Sequence, residues 1–142
     1  MIQSTTLARY EQEALGVLRI VTALLLISHA IVKLTGFPPG AEPGQQELTS
    51  LFGIAGLFEI VAGPLLLIGF QTRLVAFLAS GEMAIAYWWV HAPASLYPIV
   101  NRGEVAILFC FMFLYLTFSG PGAWSVDSAR AGRGRGPSHD AV

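Results

Sequence analysis

The residues best able to do chemistry in this sequence are ionisable side chains that lie within apolar stretches or at their edges. The eight such residues are Arg19, His29, Lys33, Glu59, Arg73, Glu82, His91 and Glu104. A charge at the centre of a bilayer costs at least about 2.5–3.5 kcal/mol on insertion scales, so residues of this kind are usually paired or functional. Because basic and acidic side chains balance within the set, we predict that they pair with one another inside the folded chain.

The composition shows why these charges are unusual. Of 142 residues, 54% are hydrophobic and only 12% are charged, whereas ordinary soluble domains carry about 25% charged residues. A mean hydropathy of +0.62 with so few charges is typical of an integral membrane protein. The composition excludes a disordered chain, a nucleic-acid-binding domain and a disulfide scaffold. The single cysteine, Cys110, also excludes a dithiol pair within the chain.

Four apolar segments are candidates for crossing a bilayer. We predict spans at about residues 14–36, 48–69, 73–91 and 103–119. Backbone groups in lipid must be hydrogen-bonded within their own segment, so each span is expected to be helical. The predicted fold is all-α, an integral membrane antiparallel four-helix bundle. It occupies residues 14–127, after an N-terminal segment (residues 1–13) and before a tail (residues 128–142) that we predict to be disordered.

The arginines predict how the bundle is oriented. With four spans, both termini and the turn between the second and third spans share one side of the membrane, and this side carries five arginines. The opposite side carries Arg102 alone. Basic residues favour the cytoplasmic side, so both termini are predicted to be cytoplasmic. The N-terminus lacks the features of a cleaved signal peptide, and the first apolar segment is interpreted as a retained span.

Helical spacing places several of these residues on shared faces. At 100° per residue, Arg19, His29 and Lys33 share one face of the first span. On the second span, small residues surround Glu59 and would let a neighbouring helix approach closely. These small residues are Ala55, Gly56, Ala62 and Gly63.

The third and fourth spans give less uniform patterns. On the third span, Glu82 faces away from both Arg73 and His91 at helical spacing, so Glu82 must point inward or be protonated. On the fourth span, Glu104 and Tyr115 share a face, which predicts a carboxylate at the mouth of a site and a phenol deeper in. Arg73 is interpreted as an interface anchor.

Two interpretations of the buried groups stay open. Glu59 either forms a structural ion pair, with Lys33 or Arg19, or handles protons and contacts a ligand. His29 and His91 are candidate haem ligands and, with a carboxylate, a candidate metal site. Two lone histidines give neither idea further support, so we favour neutral hydrogen-bonding histidines and predict no metal site.

An ordered set of short motifs runs along the predicted bundle. The motifs are Arg19, Lys33 with Gly36-Phe37, Glu59 with Gly63, the run from Leu65 to Arg73, His91, Asn101-Arg102-Gly103-Glu104, Gly120-Pro121-Gly122 and Trp124-Ser125-Val126-Asp127. This ordered set resembles the DoxX family of small four-span bacterial membrane proteins. The resemblance covers about residues 14–127. Arg102 replaces a glycine of the family pattern, and Glu82 lies outside that pattern.

The resemblance implies a multi-pass protein of the bacterial cytoplasmic (inner) membrane, linked to quinol oxidation and thiosulfate:quinone oxidoreduction. Other members are tied to redox and sulfur stress through partner proteins. The residues carried over by family pattern are Arg19, Glu59, Arg73, His91 and Glu104. We predict catalytic roles for Glu59, His91 and Glu104, ligand contacts for Arg19, His29, Lys33 and Tyr115, and structural roles for Arg73, Glu82 and Asn101.

Three functions remain in competition. The first is a subunit of a redox complex that binds a quinone and relays protons through buried charges. The second is a non-catalytic anchor or scaffold for redox partner proteins. The third is a small proton-coupled transporter, which would need a dimer because four spans supply no paired broken helices. We favour the first two jointly, with the lipid bilayer and either protein partners or a second copy of the chain as neighbours.

Overall fold

The computed structural model describes residues 7–133, and every regular element in that range is helical. The helices are α1 (Glu11–Thr35), α2 (Leu51–Ile68), α3 (Thr72–Ala86), α4 (Pro98–Asn101), α5 (Glu104–Ser119) and α6 (Val126–Arg133). A π-helical turn, Tyr87–His91, continues α3. The predicted all-α class is confirmed.

Two of these helices are long and apolar enough to cross a membrane by length and composition. They are α1 and α2, while α5 is apolar but shorter. The third predicted span is divided between α3 and the π-helical turn. The long connection after α1 holds Pro38, Pro39 and Pro43, which cannot donate backbone hydrogen bonds to a helix.

The long helices pack as two close pairs. The most extensive contacts join α1 to α2 and α3 to α5, and fewer contacts join one pair to the other. Within the first pair, Arg19 near the start of α1 contacts Leu66 near the end of α2, so the two helices run in opposite directions. In the second pair, the Ser80 hydroxyl of α3 donates to the Cys110 carbonyl of α5 at 2.9 Å.

Small residues on α2 allow α1 to approach it, as predicted. A Cβ on Gly56 would lie 3.0 Å from the Cβ of Lys33, and a Cβ on Gly63 would overlap Ile27. Between the pairs, the core contains Leu26, Leu66, Phe113 and Leu116, all fully buried. The outward faces of the long helices are apolar and exposed, which suits an acyl-chain surrounding.

The C-terminal region differs from its prediction. We expected disorder from residue 128, but α6 extends to Arg133. The Ser125 hydroxyl accepts a hydrogen bond from the Ser128 backbone N–H at 3.1 Å, which caps the new helix. Composition alone missed this cap. Residues 1–6 and 134–142 lie outside the described range, and with them the rest of the predicted tail.

The close approach at Gly63 gives a first prediction. Gly63→Ala would push a methyl group into Ile27, so we expect the free energy of unfolding to fall by about 1–3 kcal/mol. The matched control is Gly81→Ala on α3, because among the described residues nothing lies within 4 Å of a Cβ built there. Unfolding in mild detergent measures both variants. Equal effects of the two substitutions would contradict the packing described.

Candidate functional site

A buried ion pair joins α1 to α2. The Lys33 Nζ lies 2.6 Å from the Glu59 Oε1, and the Glu59 side chain is 0% exposed. The contact forms where Gly56 lets the Lys33 stem lie against α2. Of the two partners considered for Glu59, the structure brings Lys33 to it and not Arg19.

Two further ionisable side chains adjoin this pair. Glu82 of α3 lies beside both Glu59 and Lys33. His29 of α1 also lies near both, and its ring meets Phe109 of α5 edge-on, with 5.8 Å between ring centroids. We call His29, Lys33, Glu59 and Glu82 the polar cluster. Its side chains come from three different helices, so it depends on the whole bundle.

The polar cluster has hydrogen-bonding capacity left over. Glu59 Oε2 and Glu82 Oε2 are buried, and within residues 7–133 no separate donor group reaches either oxygen, although the two carboxyl groups lie close enough to share a proton. Buried polar atoms in folded proteins nearly always have a partner. Two carboxyl groups beside one ammonium group also carry excess negative charge unless a proton is bound. The cluster therefore combines donors, acceptors and a place for a proton in apolar surroundings.

Two cavities meet at the cluster. The first, which we call the loop-side cavity, has a volume of about 620 Å³ and is lined by His29, Lys33, Glu59 and His91, with Glu42 and Arg102 at its loop end. The second, the lateral groove, has a volume of about 440 Å³ and lies between α2 and α3, with Lys33 and Glu82 among its lining residues. Both volumes lie within the range of small-molecule sites.

His91 and Asn101 organise the loop end of the first cavity. The His91 Nδ1 lies 2.9 Å from the Asn101 carbonyl oxygen, and a carbonyl only accepts, so Nδ1 is assigned the proton. The Asn101 side chain donates to the Ser95 carbonyl at 2.7 Å and accepts from the Gly103 N–H at 2.7 Å. Over the described chain, no group of three or more His, Cys, Asp or Glu is placed to hold a metal ion.

Arg19 lies outside the polar cluster and does not pair with Glu59, the alternative left open for it. Its buried guanidinium donates to the Leu66 carbonyl at 2.7 Å and to the Leu67 carbonyl. It also donates to the carbonyls of Pro121, Ala123 and Trp124 in the loop after α5. These acceptors include two carbonyls in the last turn of α2, so Arg19 fastens a helix end to a loop.

Arg73, like Arg19, donates hydrogen bonds to backbone carbonyls at the end of a helix. Its guanidinium donates to the Thr117 carbonyl at 2.8 Å and to the Phe118 carbonyl at the end of α5. A cation at a helix C-terminus is also favoured by the helix dipole. Arg73 is exposed, as an interface anchor would be, but its hydrogen bonds give it a definite structural contact.

Glu104 and Tyr115 do not join the cluster. Tyr115 is 52% exposed and Glu104 is also exposed, whereas the buried face of α5 carries Phe109 and Phe113. The predicted inward face with a carboxylate at its mouth is therefore corrected to an outward face. The α5 helix carries apolar side chains on every face, so helical spacing alone did not identify its buried side.

Sequence reasoning did not identify Asp127 as a helix cap. Its carboxylate accepts from the Gln71 N–H at 3.0 Å and from the Thr72 N–H at 2.8 Å, at the start of α3. Burial by itself raises the pKa of the Asp127 carboxyl, but the hydrogen bonds from Thr72 and Gln71 and the nearby Arg130 outweigh it and leave the pKa below its ordinary value. The partners are distant in sequence, so no local pattern reveals the cap.

Comparison with known protein families identifies one family. The DoxX family model matches residues 14–92, a range that contains the whole polar cluster. A protein of Haemophilus influenzae is 39% identical over 126 residues, which cover 86% of this chain and 94% of the relative. That relative carries only the name "uncharacterized protein". No solved structure is significantly similar to the chain.

The buried ion pair gives a second prediction. Glu59→Gln removes the carboxylate that contacts the buried Lys33 ammonium group and leaves Glu82 as the nearest acid, so we expect the free energy of unfolding to fall by up to about 3–5 kcal/mol. The matched control is Glu42→Gln, because Glu42 and Arg102 form an exposed pair with 3.3 Å between charged atoms. That control should change stability by at most about 1 kcal/mol. Similar losses for both variants would show that the buried contact is not formed.

The Asp127 cap gives a third prediction, on pH dependence. Because the folded-state pKa is depressed, the carboxylate stabilises the fold above its unfolded pKa of about 3.9, and this contribution disappears as pH falls through the folded pKa. Asp127→Asn should therefore be less stable than wild type at pH 6, and the difference should shrink as the pH is lowered toward 3. Chemical unfolding across this range measures it. A difference independent of pH would contradict the cap.

Proposed function

Because this chain belongs to the DoxX family of membrane proteins, we propose that it crosses the bacterial inner membrane four times as an antiparallel bundle and binds a quinone at the polar cluster. Both termini would then lie in the cytoplasm. The apolar outward faces of the four long helices support the membrane setting. The short third and fourth spans become long enough with the π-helical turn and with the loop residues that flank α5.

One observation carries the ligand assignment. Inside an apolar bundle, His29, Lys33 and Glu59 line a cavity of about 620 Å³. Glu82 lines the adjoining lateral groove, and each acid has a buried oxygen that no separate donor group in the described chain reaches. Quinone carbonyl oxygens accept hydrogen bonds, and the hydroxyl groups of the reduced quinol donate them. The Lys33 ammonium group and the His29 ring supply donors, and the Glu59 and Glu82 carboxyl groups supply acceptors. A site with both kinds of group serves both redox forms.

The same arrangement suits proton transfer. Reducing a quinone takes two electrons and two protons, and the carboxyl groups of Glu59 and Glu82 are placed to give or take protons at the ligand. His91 lines the cavity toward the loops, where it connects the cluster to the aqueous side. In this proposal the electrons come from a partner redox protein, and the chain contributes binding and proton handling. Glu104, which lies outside the cluster, has no part in it.

The fourth prediction tests quinone binding. We expect wild-type protein in lipid nanodiscs to bind decylubiquinone, and Glu82→Leu to bind the reduced form at least tenfold more weakly. The physical reason is the loss of the hydrogen bond between the quinol and the Glu82 carboxyl group, which leaves a buried polar group without a partner at a cost of about 1–3 kcal/mol, whereas glutamine would keep an acceptor oxygen. Glu11→Gln, an exposed acid at the start of α1, is the control and should bind as wild type does. Titration followed by quinone absorbance measures the affinities, and mass spectrometry detects quinone that copurifies.

The competing functions give different results in this experiment. A scaffold would bind no quinone in either redox form and would still assemble with its partners after Glu82→Leu. A transporter would show flux in liposomes that depends on Glu82 but not on quinone. Either result, with wild-type protein that fails to bind quinone, would reject the proposal.

A further inference from the structure

We propose that the lateral groove between α2 and α3 holds the apolar chain of the ligand whose head lies at the polar cluster. The ligand is then an amphipathic molecule with a single long hydrocarbon or isoprenoid chain, and it enters sideways from the bilayer. This inference rests on the proposed function for the identity of the head group. It adds a binding surface for the chain of the ligand, which the proposed function does not assign.

The lining of the lateral groove matches such a ligand, because it is apolar along its walls and polar at one place. Its walls are apolar side chains of α2 and α3, among them Ile54, Phe58, Phe77 and Ile85. Among its lining residues within the described chain, only Lys33 and Glu82 are ionisable. Polar groups thus stand at one place in an otherwise apolar channel, where a polar head would meet them while its chain lies along the walls.

The helix packing explains why the groove exists. The two close pairs, α1 with α2 and α3 with α5, meet along a seam with fewer contacts. Along this seam α3 contributes Gly81, and within residues 7–133 nothing lies within 4 Å of a Cβ built on it. Ala55 and Ala86 also line the groove and are small. Small side chains at a seam between rigid pairs leave space that a flexible chain fills.

The loop-side cavity is a poorer place for the chain. Its loop end carries the Glu42 and Arg102 pair, whose charged atoms are 3.3 Å apart and whose side chains are more than 80% exposed. A hydrocarbon chain there would lie against charged groups and water. In the lateral groove, by contrast, exposed Ile54 and Phe77 continue the apolar wall to the outer surface of the bundle. Charge distribution therefore assigns the head to the cluster and the chain to the groove.

Gly81→Phe tests the inference, because the new ring would occupy the groove without overlapping a described neighbour at its Cβ. Ser28→Phe is the matched control, since Ser28 is exposed on α1 and does not line the groove. Three probes are compared in nanodiscs at equal mole fraction in lipid. They are decylubiquinone, the same quinone without its chain, and 4-decylphenol, which has the chain but no quinone head.

Wild-type protein should bind decylubiquinone at least tenfold more tightly than the chainless quinone. Gly81→Phe should remove this advantage and leave the affinity for the chainless quinone unchanged, while Ser28→Phe should match wild type with all probes. The inference is overturned if Gly81→Phe binds decylubiquinone as wild type does, or if it weakens the chainless quinone equally.

The third probe separates the two proposals. If wild type binds 4-decylphenol but neither quinone, and Gly81→Phe loses that binding, the groove assignment stands and the quinone function fails. If the chainless quinone binds and the chain adds nothing, the groove assignment fails and the quinone function stands. If wild type binds no chain-bearing probe, the groove assignment is overturned as well.

Discussion

The buried contact between the Lys33 ammonium group and the Glu59 carboxylate is the interaction on which the rest of the structure depends. A lone charge in an apolar bundle is costly, and a counter-ion at 2.6 Å offsets part of that cost. Because the pair joins α1 to α2 beside Gly56, it fixes how those helices meet. Glu82 of α3 lies beside both members of this pair, and the three side chains together with His29 form the polar cluster.

The buried polar groups differ in how fully they are hydrogen-bonded. The guanidinium of Arg19 is fully used by backbone carbonyls at the end of α2 and in the loop after α5. By contrast, Glu59 and Glu82 each keep a buried oxygen that no separate donor group among the described residues reaches. Glu13 and Thr72 also keep an unpartnered buried atom, so it is the combination of spare capacity with two adjoining cavities that distinguishes the polar cluster.

The sequence alone predicts much of this arrangement, and its failures have physical causes. Apolar runs located the long helices, and the small residues around Glu59 correctly indicated close helix packing. The partners of Arg19 were not predictable, because backbone carbonyls of distant loops leave no mark in residue type. The face of α5 that carries Tyr115 was predicted to point inward but is exposed. The helix carries apolar side chains on every face, so their spacing does not distinguish the buried face from the exposed one. His91 was placed opposite Glu82 on an ideal helix, but the π-helical turn changes the phase between them.

In the proposed function, the Lys33 ammonium group and the His29 ring donate hydrogen bonds to the carbonyl oxygens of a quinone head, beside the carboxyl groups of Glu59 and Glu82. Infrared difference spectroscopy of the protein in nanodiscs, with and without the chainless quinone, tests this arrangement most directly. We expect the quinone carbonyl stretch to shift to lower frequency, together with a change in a carboxyl band that disappears in Glu82→Gln. A quinone carbonyl stretch identical to that of free quinone in lipid, with unchanged carboxyl bands, would contradict the account.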